Sequence, residues 1–172
     1  MTFVDTNIFV AALNQKDADH KKCKVLLETA LEKREWLYTS DYILDECFSV
    51  AWSRTRKLPR TFRLSLIRRL DDAVQGSERV KILKVDERDF STAKSFLREH
   101  PEVISTLTDW TSLVLMRRKG ISEILSLDKD FDRAGRIQEF SRIVQITDAS
   151  QISERKDAPH PLDRAEPRQS HR

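Results

Sequence analysis

Short apolar runs alternate with helical patterns along most of this chain, and that alternation restricts its fold more than any other feature. Each run is short enough to form a buried strand, and each helical pattern places apolar residues three or four positions apart. The expected strands are Phe3-Val4 and residues 36–39, 80–85, 124–127 and 143–146. Strands that alternate with helices predict a mostly parallel sheet with helices on both of its faces.

Composition indicates a soluble protein that consists of one domain. The chain has 172 residues, of which 34% are charged, and its formal net charge is +3. That mild positive charge is compatible with a polyanionic partner but does not require one. An acid at position 5 leaves no room for a signal peptide, and no apolar run approaches the length that spans a membrane. We therefore expect a cytoplasmic protein without membrane segments.

The two cysteines and the three tryptophans show no pattern of a metal or ligand site. Cys23 and Cys47 lie inside helical patterns without paired metal-ligand spacing, so we expect two small buried apolar residues. The tryptophans Trp36, Trp52 and Trp110 are expected in the core, although stacking on RNA is an alternative for each.

Four acids stand where strands end or helices begin. Parallel strand ends and helix N-termini share one edge of an open sheet, and ligands bind there. We therefore expect the four carboxylates to point into one crevice. They are Asp5 after the first strand, Glu46 and Asp109 in the first turns of two helices, and Asp128 after the fourth strand.

A cluster of carboxylates is stable when a cation neutralises its repulsion. Ligands that are all oxygen suit Mg²⁺ or Mn²⁺. Such an ion polarises a phosphoryl oxygen and activates water, so the expected reaction is phosphodiester hydrolysis. Taken singly, each acid also has a structural explanation as a helix cap, as a charge that favours the helix dipole, or as an exposed helix residue.

Four segments together resemble the PIN domain, a family of metal-dependent ribonucleases with a compact three-layer α/β/α sandwich. The segments are Phe3-Val4-Asp5-Thr6-Asn7, residues 39–46, Thr108-Asp109-Trp110 and residues 125–132. The resemblance implies a nuclease domain over residues 1–147. Apolar residues are sparse after it while proline, charged and polar residues dominate, so we expect residues 148–172 to form a charged, disordered tail. The resemblance also implies that Asp5, Glu46, Asp109 and Asp128 bind Mg²⁺ or Mn²⁺ and carry catalysis. The hydroxyls of Thr6 and Ser126 are then expected to position water or phosphate.

Glu46 has an acidic neighbour, Asp45, and only one of the two should reach the metal. Adjacent residues on a helix face different ways, and the resemblance favours Glu46. Asp130 is a possible accessory acid, with a surface acid beside Lys129 as the preferred interpretation.

A basic stretch between two helices is a candidate contact for RNA. Lysines and arginines near an acidic metal site can hold a phosphate backbone, which positions a substrate without specifying its sequence. The alternative is a solvated helix face. The residues proposed to bind RNA are Arg54, Arg56, Lys57 and Arg60.

The resemblance implies an endoribonuclease, and the small single domain is similar to VapC-type toxins of toxin–antitoxin pairs. Such a toxin cuts tRNA or another structured RNA and is blocked by an antitoxin protein, and it can form a homodimer. A groove between the helices that begin near Asp41 and Pro59, with Leu58 and Phe62 in it, is expected to hold the antitoxin's helix. The alternatives are a housekeeping RNA-processing nuclease and a binding module without catalysis.

Overall fold

The computed structural model describes residues 1–33 and 36–152 and shows five strands in a single parallel sheet. The strand order is β3-β2-β1-β4-β5, and every neighbouring pair is parallel. The strands are β1 (Thr2–Val4), β2 (Leu37–Ser40), β3 (Val80–Leu83), β4 (Glu123–Leu125) and β5 (Val144–Ile146). The predicted α/β fold is confirmed, and the sheet is fully parallel rather than mostly parallel.

Seven α-helices connect the strands within the described residues. They are α1 (Thr6–Leu13), α2 (His20–Lys33), α3 (Asp41–Arg54), α4 (Arg60–Val74), α5 (Glu87–Glu99), α6 (Leu107–Lys119) and α7 (Asp130–Ala134). The chain moves from β1 outward to β3 and then returns across the sheet to β4 and β5. Because such crossovers are right-handed, the outward and return paths place their helices on opposite faces of the sheet. Most helix packing follows this division, with α1 against α2 and α3, α3 against α4, and α5 against α6, although α3 also contacts α6.

Strand order reverses at β1, because β2 lies on one side of it and β4 on the other. This is the topological switch point of the sheet, where loops from neighbouring strands diverge and leave a crevice. Phe3 and Val4 are fully buried in β1, and the strand ends directly at Asp5. The first acid of the sequence therefore lies at the switch point.

Helix α6 contains an unbroken run of buried residues from Asp109 to Met116. The Trp110 ring stacks on Phe96 with 5.5 Å between ring centroids, and its indole Nε1 donates to the carbonyl oxygen of Ile104 at 3.1 Å. Cys23 and Cys47 are buried and free, as predicted. Trp52 is 43% exposed, so its predicted place in the core is wrong. Arg63 stacks on the Trp52 ring at the surface, with its guanidinium carbon 3.4 Å from the ring centroid.

The fourth strand is shorter than predicted, because pairing ends at Leu125 and residues 126–127 form a loop. Ordered structure also continues past Thr147 to a 3₁₀ turn at Ala149–Gln151 and the buried Ile152. The ammonium of Lys33 donates to the carbonyl oxygen of Ile152 at 3.1 Å. The rest of the expected tail, residues 153–172, lies outside the described residues. The domain boundary stays a prediction.

None of the helices in the described part of the chain has the length and hydropathy needed to cross a lipid bilayer. The cytoplasmic location expected from the sequence stays a prediction.

Candidate active site

Asp5 lies at the centre of the site, and three groups hold its carboxylate. The side chain is 3% exposed. Its Oδ1 accepts from the backbone N–H of Thr6 at 2.7 Å, which makes Asp5 the N-cap of α1. Its Oδ2 accepts from Asn7 Nδ2 at 2.6 Å and from Ser126 Oγ at 2.7 Å. One orientation of the Asp5 side chain thus both caps helix α1 and holds the carboxylate in the site.

Glu46 reaches this centre from α3. Thr6 Oγ1 donates to Glu46 Oε2 at 2.7 Å and so joins the start of α1 to α3. Asp45 is exposed, whereas Glu46 is half-buried. Of the two adjacent acids, the one that faces the site is Glu46.

Asp109 enters from α6, and the cap of that helix orients it. Thr106 is the N-cap and accepts from the backbone N–H of Asp109 at 3.2 Å, while its hydroxyl donates to Asp109 Oδ2. Asp109 is 6% exposed. Helix α3 packs against α6, which brings Glu46 and Asp109 to the same crevice.

Asp128 follows β4 in a loop that side-chain hydrogen bonds shape. Its backbone N–H donates to Ser126 Oγ at 3.0 Å, and the backbone N–H of Leu127 donates to Asn7 Oδ1 at 3.1 Å. Gln145 on β5 donates through Nε2 to the carbonyl oxygens of Ser126 at 2.8 Å and Asp128 at 2.7 Å. Asn7 and Gln145 therefore fix this loop from its two sides.

Electrostatics show that these acids are close enough to repel one another. The pKa of Asp5 is raised to about 8, mainly by burial and further by the charges of Asp109 and Glu46, although the hydrogen bonds from Ser126 and Thr6 lower it. Burial likewise raises the pKa of Asp109 to about 7, with contributions from the negative charges of Glu46, Asp128 and Asp130. Like charges in a poorly solvated crevice disfavour ionisation, which explains both shifts. We call Asp5, Glu46, Asp109 and Asp128 the carboxylate cluster.

The carboxylate cluster has the donor chemistry of a site for a hard divalent cation. All of its ligand atoms are oxygens, as Mg²⁺ and Mn²⁺ prefer, and a cation would offset the repulsion that raises the two pKa values. No three acidic, histidine or cysteine side chains already converge into a metal cage within residues 1–33 and 36–152. The fit of these residues to a divalent cation thus rests on their oxygen donors and on the electrostatic repulsion that a cation would offset.

The structure separates the residues expected to contact RNA. Arg54 lines a cavity of about 520 Å³ together with Asn7 and Asp128, and its Nη1 lies 3.5 Å from Asp17 Oδ2. The exposed side chains of Arg56, Lys57 and Arg60 lie at the connection between α3 and α4 and do not line this cavity. Their contact with RNA stays a prediction.

The sequence interpretation missed two supporting residues, Thr106 and Gln145, and gave Asp130 only as a possible accessory acid. Thr106 is three positions before Asp109, which is the spacing of a helix N-cap and its third helical residue, so this role was visible in the sequence. Asp130 is half-buried, pairs with Arg133 and acts on Asp109 through its charge. The only signal for Gln145 is a polar residue in the middle of a short apolar strand.

The fold and the crevice are those of a nuclease-like α/β domain, and the chain belongs to the PIN domain family, whose pattern matches residues 2–137. It is similar to the 23S rRNA-specific endonuclease VapC20 of two Mycobacterium tuberculosis strains. The identity is 28% over 142 residues, which cover 80% of this chain and 97% of that protein.

Two solved structures share the fold. One is the crystal structure of M. tuberculosis VapC20, described as a sarcin–ricin loop cleaving toxin. It has a TM-score of 0.65 and 28% identity, and the match covers 78% of this chain and 95% of that one. The other is VapBC2 from Rickettsia felis bound to a DNA fragment from its promoter. It has a TM-score of 0.57 and 15% identity, and the match covers 84% and 96% of the two chains. The second likeness bears on the fold alone.

Proposed function

We propose that this protein is a divalent-metal-dependent endoribonuclease and the toxin of a toxin–antitoxin pair. The carboxylate cluster at the switch point of the sheet carries this proposal, because burial and the negative charges of neighbouring carboxylates raise the pKa values of two of its members, Asp5 and Asp109. Similarity to VapC20 makes the sarcin–ricin loop of 23S rRNA the first RNA to test, and tRNA the second.

The chain's own residues hold and orient the carboxylates. Asp5 and Asp109 are the proposed direct ligands of Mg²⁺ or Mn²⁺, and Glu46 and Asp128 bind through water or orient the attacking water. The hydroxyls of Thr6 and Ser126 fix Glu46 and Asp5 through the hydrogen bonds described above. A bound divalent cation supplies a Lewis acid for the phosphoryl oxygen and lowers the pKa of water.

Cleavage by matched variants tests this proposal. Wild type, Asp109→Asn, Glu46→Gln and Asp45→Asn are purified identically and incubated with a sarcin–ricin hairpin RNA, tRNA and Mg²⁺, Mn²⁺ or EDTA. We expect site-specific cuts that EDTA abolishes, a loss of at least about 100-fold in Asp109→Asn and Glu46→Gln, and full activity in Asp45→Asn. Asp45 is the neighbour of Glu46 and is exposed, so its variant controls for charge and for contaminating nucleases.

The outcomes separate the alternatives. Cleavage that all variants retain contradicts the proposed site. Metal binding without cleavage of either RNA indicates a binding module. Cleavage without growth arrest, when the protein is expressed alone, indicates a housekeeping nuclease.

A neutralising partner has a candidate docking surface on α3 and α4. Phe48, Trp52, Leu64 and Ile67 line an open apolar depression of about 390 Å³. Trp52 and Leu64 are 43% and 38% exposed, and Arg63 lies against Trp52. We infer that an amphipathic helix of the antitoxin, with an acidic residue for Arg63, covers this patch. The half-buried Leu58 and Phe62 expected in this groove do not line the depression.

Replacement of Trp52 and Leu64 by serine should leave toxicity intact but prevent its neutralisation by an antitoxin selected as a suppressor of growth arrest. Val25→Ser is the matched control, because Val25 is an exposed apolar residue on α2. Neutralisation of the double variant as efficient as that of wild type would rule out this surface. Homodimer formation stays a prediction that sedimentation would decide.

A further inference from the structure

Two surface depressions join into one furrow that begins at the carboxylate cluster. The first, of about 520 Å³, contains Asn7 and Asp128. The second, of about 960 Å³, extends over α7 to Gln145 and Thr147 at the end of β5. They share a wall formed by Asp19, Leu127, Lys129 and Arg133. The surface is therefore continuous from the site to the far edge of the sheet.

The charge of the furrow changes sign along its length. Four acids and three cations line the depression at the site, whereas four cations and two acids line the outer one. The four cations of the outer depression define what we call the basic furrow: Lys22, Lys129, Arg133 and Arg136. An acidic end suits a metal ion, and a basic end suits the phosphates that flank the reacting one.

Three cations of the basic furrow are free to bind a ligand. Lys22, Lys129 and Arg136 are exposed and form no ion pair within the described ranges 1–33 and 36–152. The fourth, Arg133, pairs with Asp130. Polar side chains with no internal partner beside a catalytic crevice can pair with substrate without breaking existing bonds.

The rival path for RNA is the connection between α3 and α4. Arg54 is the one member of that predicted set in the furrow, and it is already close to Asp17. Arg56 and Lys57 lie in the turn after α3 and line neither depression. Continuity with the site therefore favours the path over α7.

We propose that the RNA strand on one side of the scissile phosphate lies in the basic furrow, with Lys22, Lys129 and Arg136 in contact with its phosphates. This proposal rests on the proposed ribonuclease function. Leu127 is half-buried in the shared wall and offers an apolar contact to a base at the point where the two depressions meet. The furrow thus holds RNA by charge and shape and directs one phosphate to the carboxylate cluster.

The test compares two charge-matched pairs in an inactive background. Lys22→Gln/Arg136→Gln and Arg56→Gln/Lys57→Gln each remove two exposed cations, and both are made in Asp109→Asn. A fluorescein-labelled hairpin RNA with the sarcin–ricin sequence is titrated by anisotropy at several salt concentrations. We expect the furrow pair to weaken binding about tenfold and to reduce the salt slope by about 1.4, since each lost phosphate contact accounts for about 0.7 on a single strand. The Arg56/Lys57 pair should bind as the background does.

The same pairs in the active protein separate binding from chemistry. The furrow pair should raise KM and leave kcat unchanged, because these cations do not touch the reacting phosphate. Three results would each contradict RNA binding in the basic furrow. They are equal weakening of RNA binding by both pairs, no weakening by the furrow pair, and no RNA binding by the Asp109→Asn protein. If RNA binding depends on the furrow but wild type cuts no RNA, the proposed RNA site is supported and the proposed nuclease function is contradicted. Thermal melts confirm that each exposed-residue variant is folded.

Discussion

At the residue scale, Asp5 shows which physical effect dominates in the crevice. Hydrogen bonds from a backbone N–H and two side chains favour its ionised form and should lower its pKa. The pKa nevertheless rises to about 8, because burial and the charge of Asp109 together outweigh those bonds. Burial and repulsion within the carboxylate cluster therefore destabilise the metal-free fold, and the same repulsion favours the binding of a cation.

The pH dependence of stability follows from these shifts. In the folded protein Asp5 and Asp109 have pKa values of about 8 and 7, against 3.8 as the ordinary value. At pH values between the unfolded and the folded pKa, the folded state binds more protons than the unfolded state. The free energy of unfolding therefore falls as pH rises from about 4 to 8. We expect urea melts in EDTA to give a lower free energy of unfolding at pH 8 than at pH 5.

The Asp109→Asn variant removes the destabilisation that ionised Asp109 causes at high pH, so its stability is compared with that of wild type. At pH 8 in EDTA, the variant should be more stable than wild type by about 2–4 kcal/mol, since one pKa unit corresponds to about 1.4 kcal/mol. The gain should shrink at pH 5, and Mg²⁺ should stabilise wild type more than the variant at pH 8. Equal pH profiles for the two proteins would show that the fold does not raise the pKa of Asp109.

Asn7 should matter more for activity than for stability. Its amide donates to Asp5 and Ser126 and accepts from the backbone of Leu127. Asn7→Ala removes these bonds at the edge of the crevice, and we expect kcat to fall at least about tenfold with little change in KM. Gln15→Ala, an exposed change in the turn after α1, should leave both constants unchanged. A KM effect alone would mean that Asn7 binds substrate instead.

The site residues differ in how far the sequence could reveal them. Asp5, Asp109 and Asp128 follow strands or begin helices, so local pattern alone placed them at one edge of the sheet. The roles of Asn7 and Gln145 depend on the register of β4 between β1 and β5. No single-sequence pattern encodes which residues become opposite one another across strands more than 100 positions apart, such as Phe3 and Ile124.

At the element scale, α6 and the loop after β4 fix the geometry of the crevice. Thr106 starts α6 and Gly120 ends it in the left-handed conformation, with φ of 67°. After Leu125, the side chain of Gln145 binds the carbonyl oxygens of Ser126 and Asp128 in place of a neighbouring strand. The sequence pattern could not show this end of the strand, because the apolar residues continue to Leu127 while the pairing stops at Leu125.

Gly120→Ala should destabilise the protein by about 1 kcal/mol, because a residue with a Cβ is strained at positive φ. A Cβ at this position meets no other atom within 4 Å, so the cost is that of the backbone alone. Gly120→Asn should cost less, since asparagine tolerates this conformation. Chemical denaturation measures both, and equal stability of all three proteins would contradict the strain argument.

Gln145→Ala should loosen the loop that carries Asp128. We expect weaker Mg²⁺ binding by calorimetry and activity reduced about tenfold, with a small loss of stability because Gln145 is only half-buried. Gln138→Ala, an exposed glutamine in the 3₁₀ turn Gln138–Phe140, is the control. Unchanged metal affinity in Gln145→Ala would assign the loop's shape to Asn7 alone.

At the scale of the whole molecule, the last described residues, up to Ile152, pack against the rest of the domain. The predicted boundary at Thr147 leaves out Ile152, which is 2% exposed and whose carbonyl oxygen accepts from Lys33. The sequence pattern missed this because a single apolar residue among polar ones carries no periodic signal. The contact of Ile152 with Lys33 becomes visible only once α2 has folded.

Two truncations test this end of the domain. Removal of residues 153–172 should leave melting temperature and RNA cleavage unchanged. Removal of residues 148–172 also deletes Ile152 and should cost about 2–4 kcal/mol, as loss of a buried aliphatic side chain does. A change of activity or oligomeric state in the shorter deletion would give the tail a role of its own.

The central position of β1 also sets the order of events during synthesis. Asp5 is synthesised before its hydrogen-bond partner Ser126 and before the last member of the carboxylate cluster, Asp128, which both follow some 120 positions later. Until β4 has left the ribosome and inserted beside β1, no nascent chain holds a complete site. A chain that ends before β4 therefore lacks both Ser126 and Asp128 and cannot form the complete carboxylate cluster.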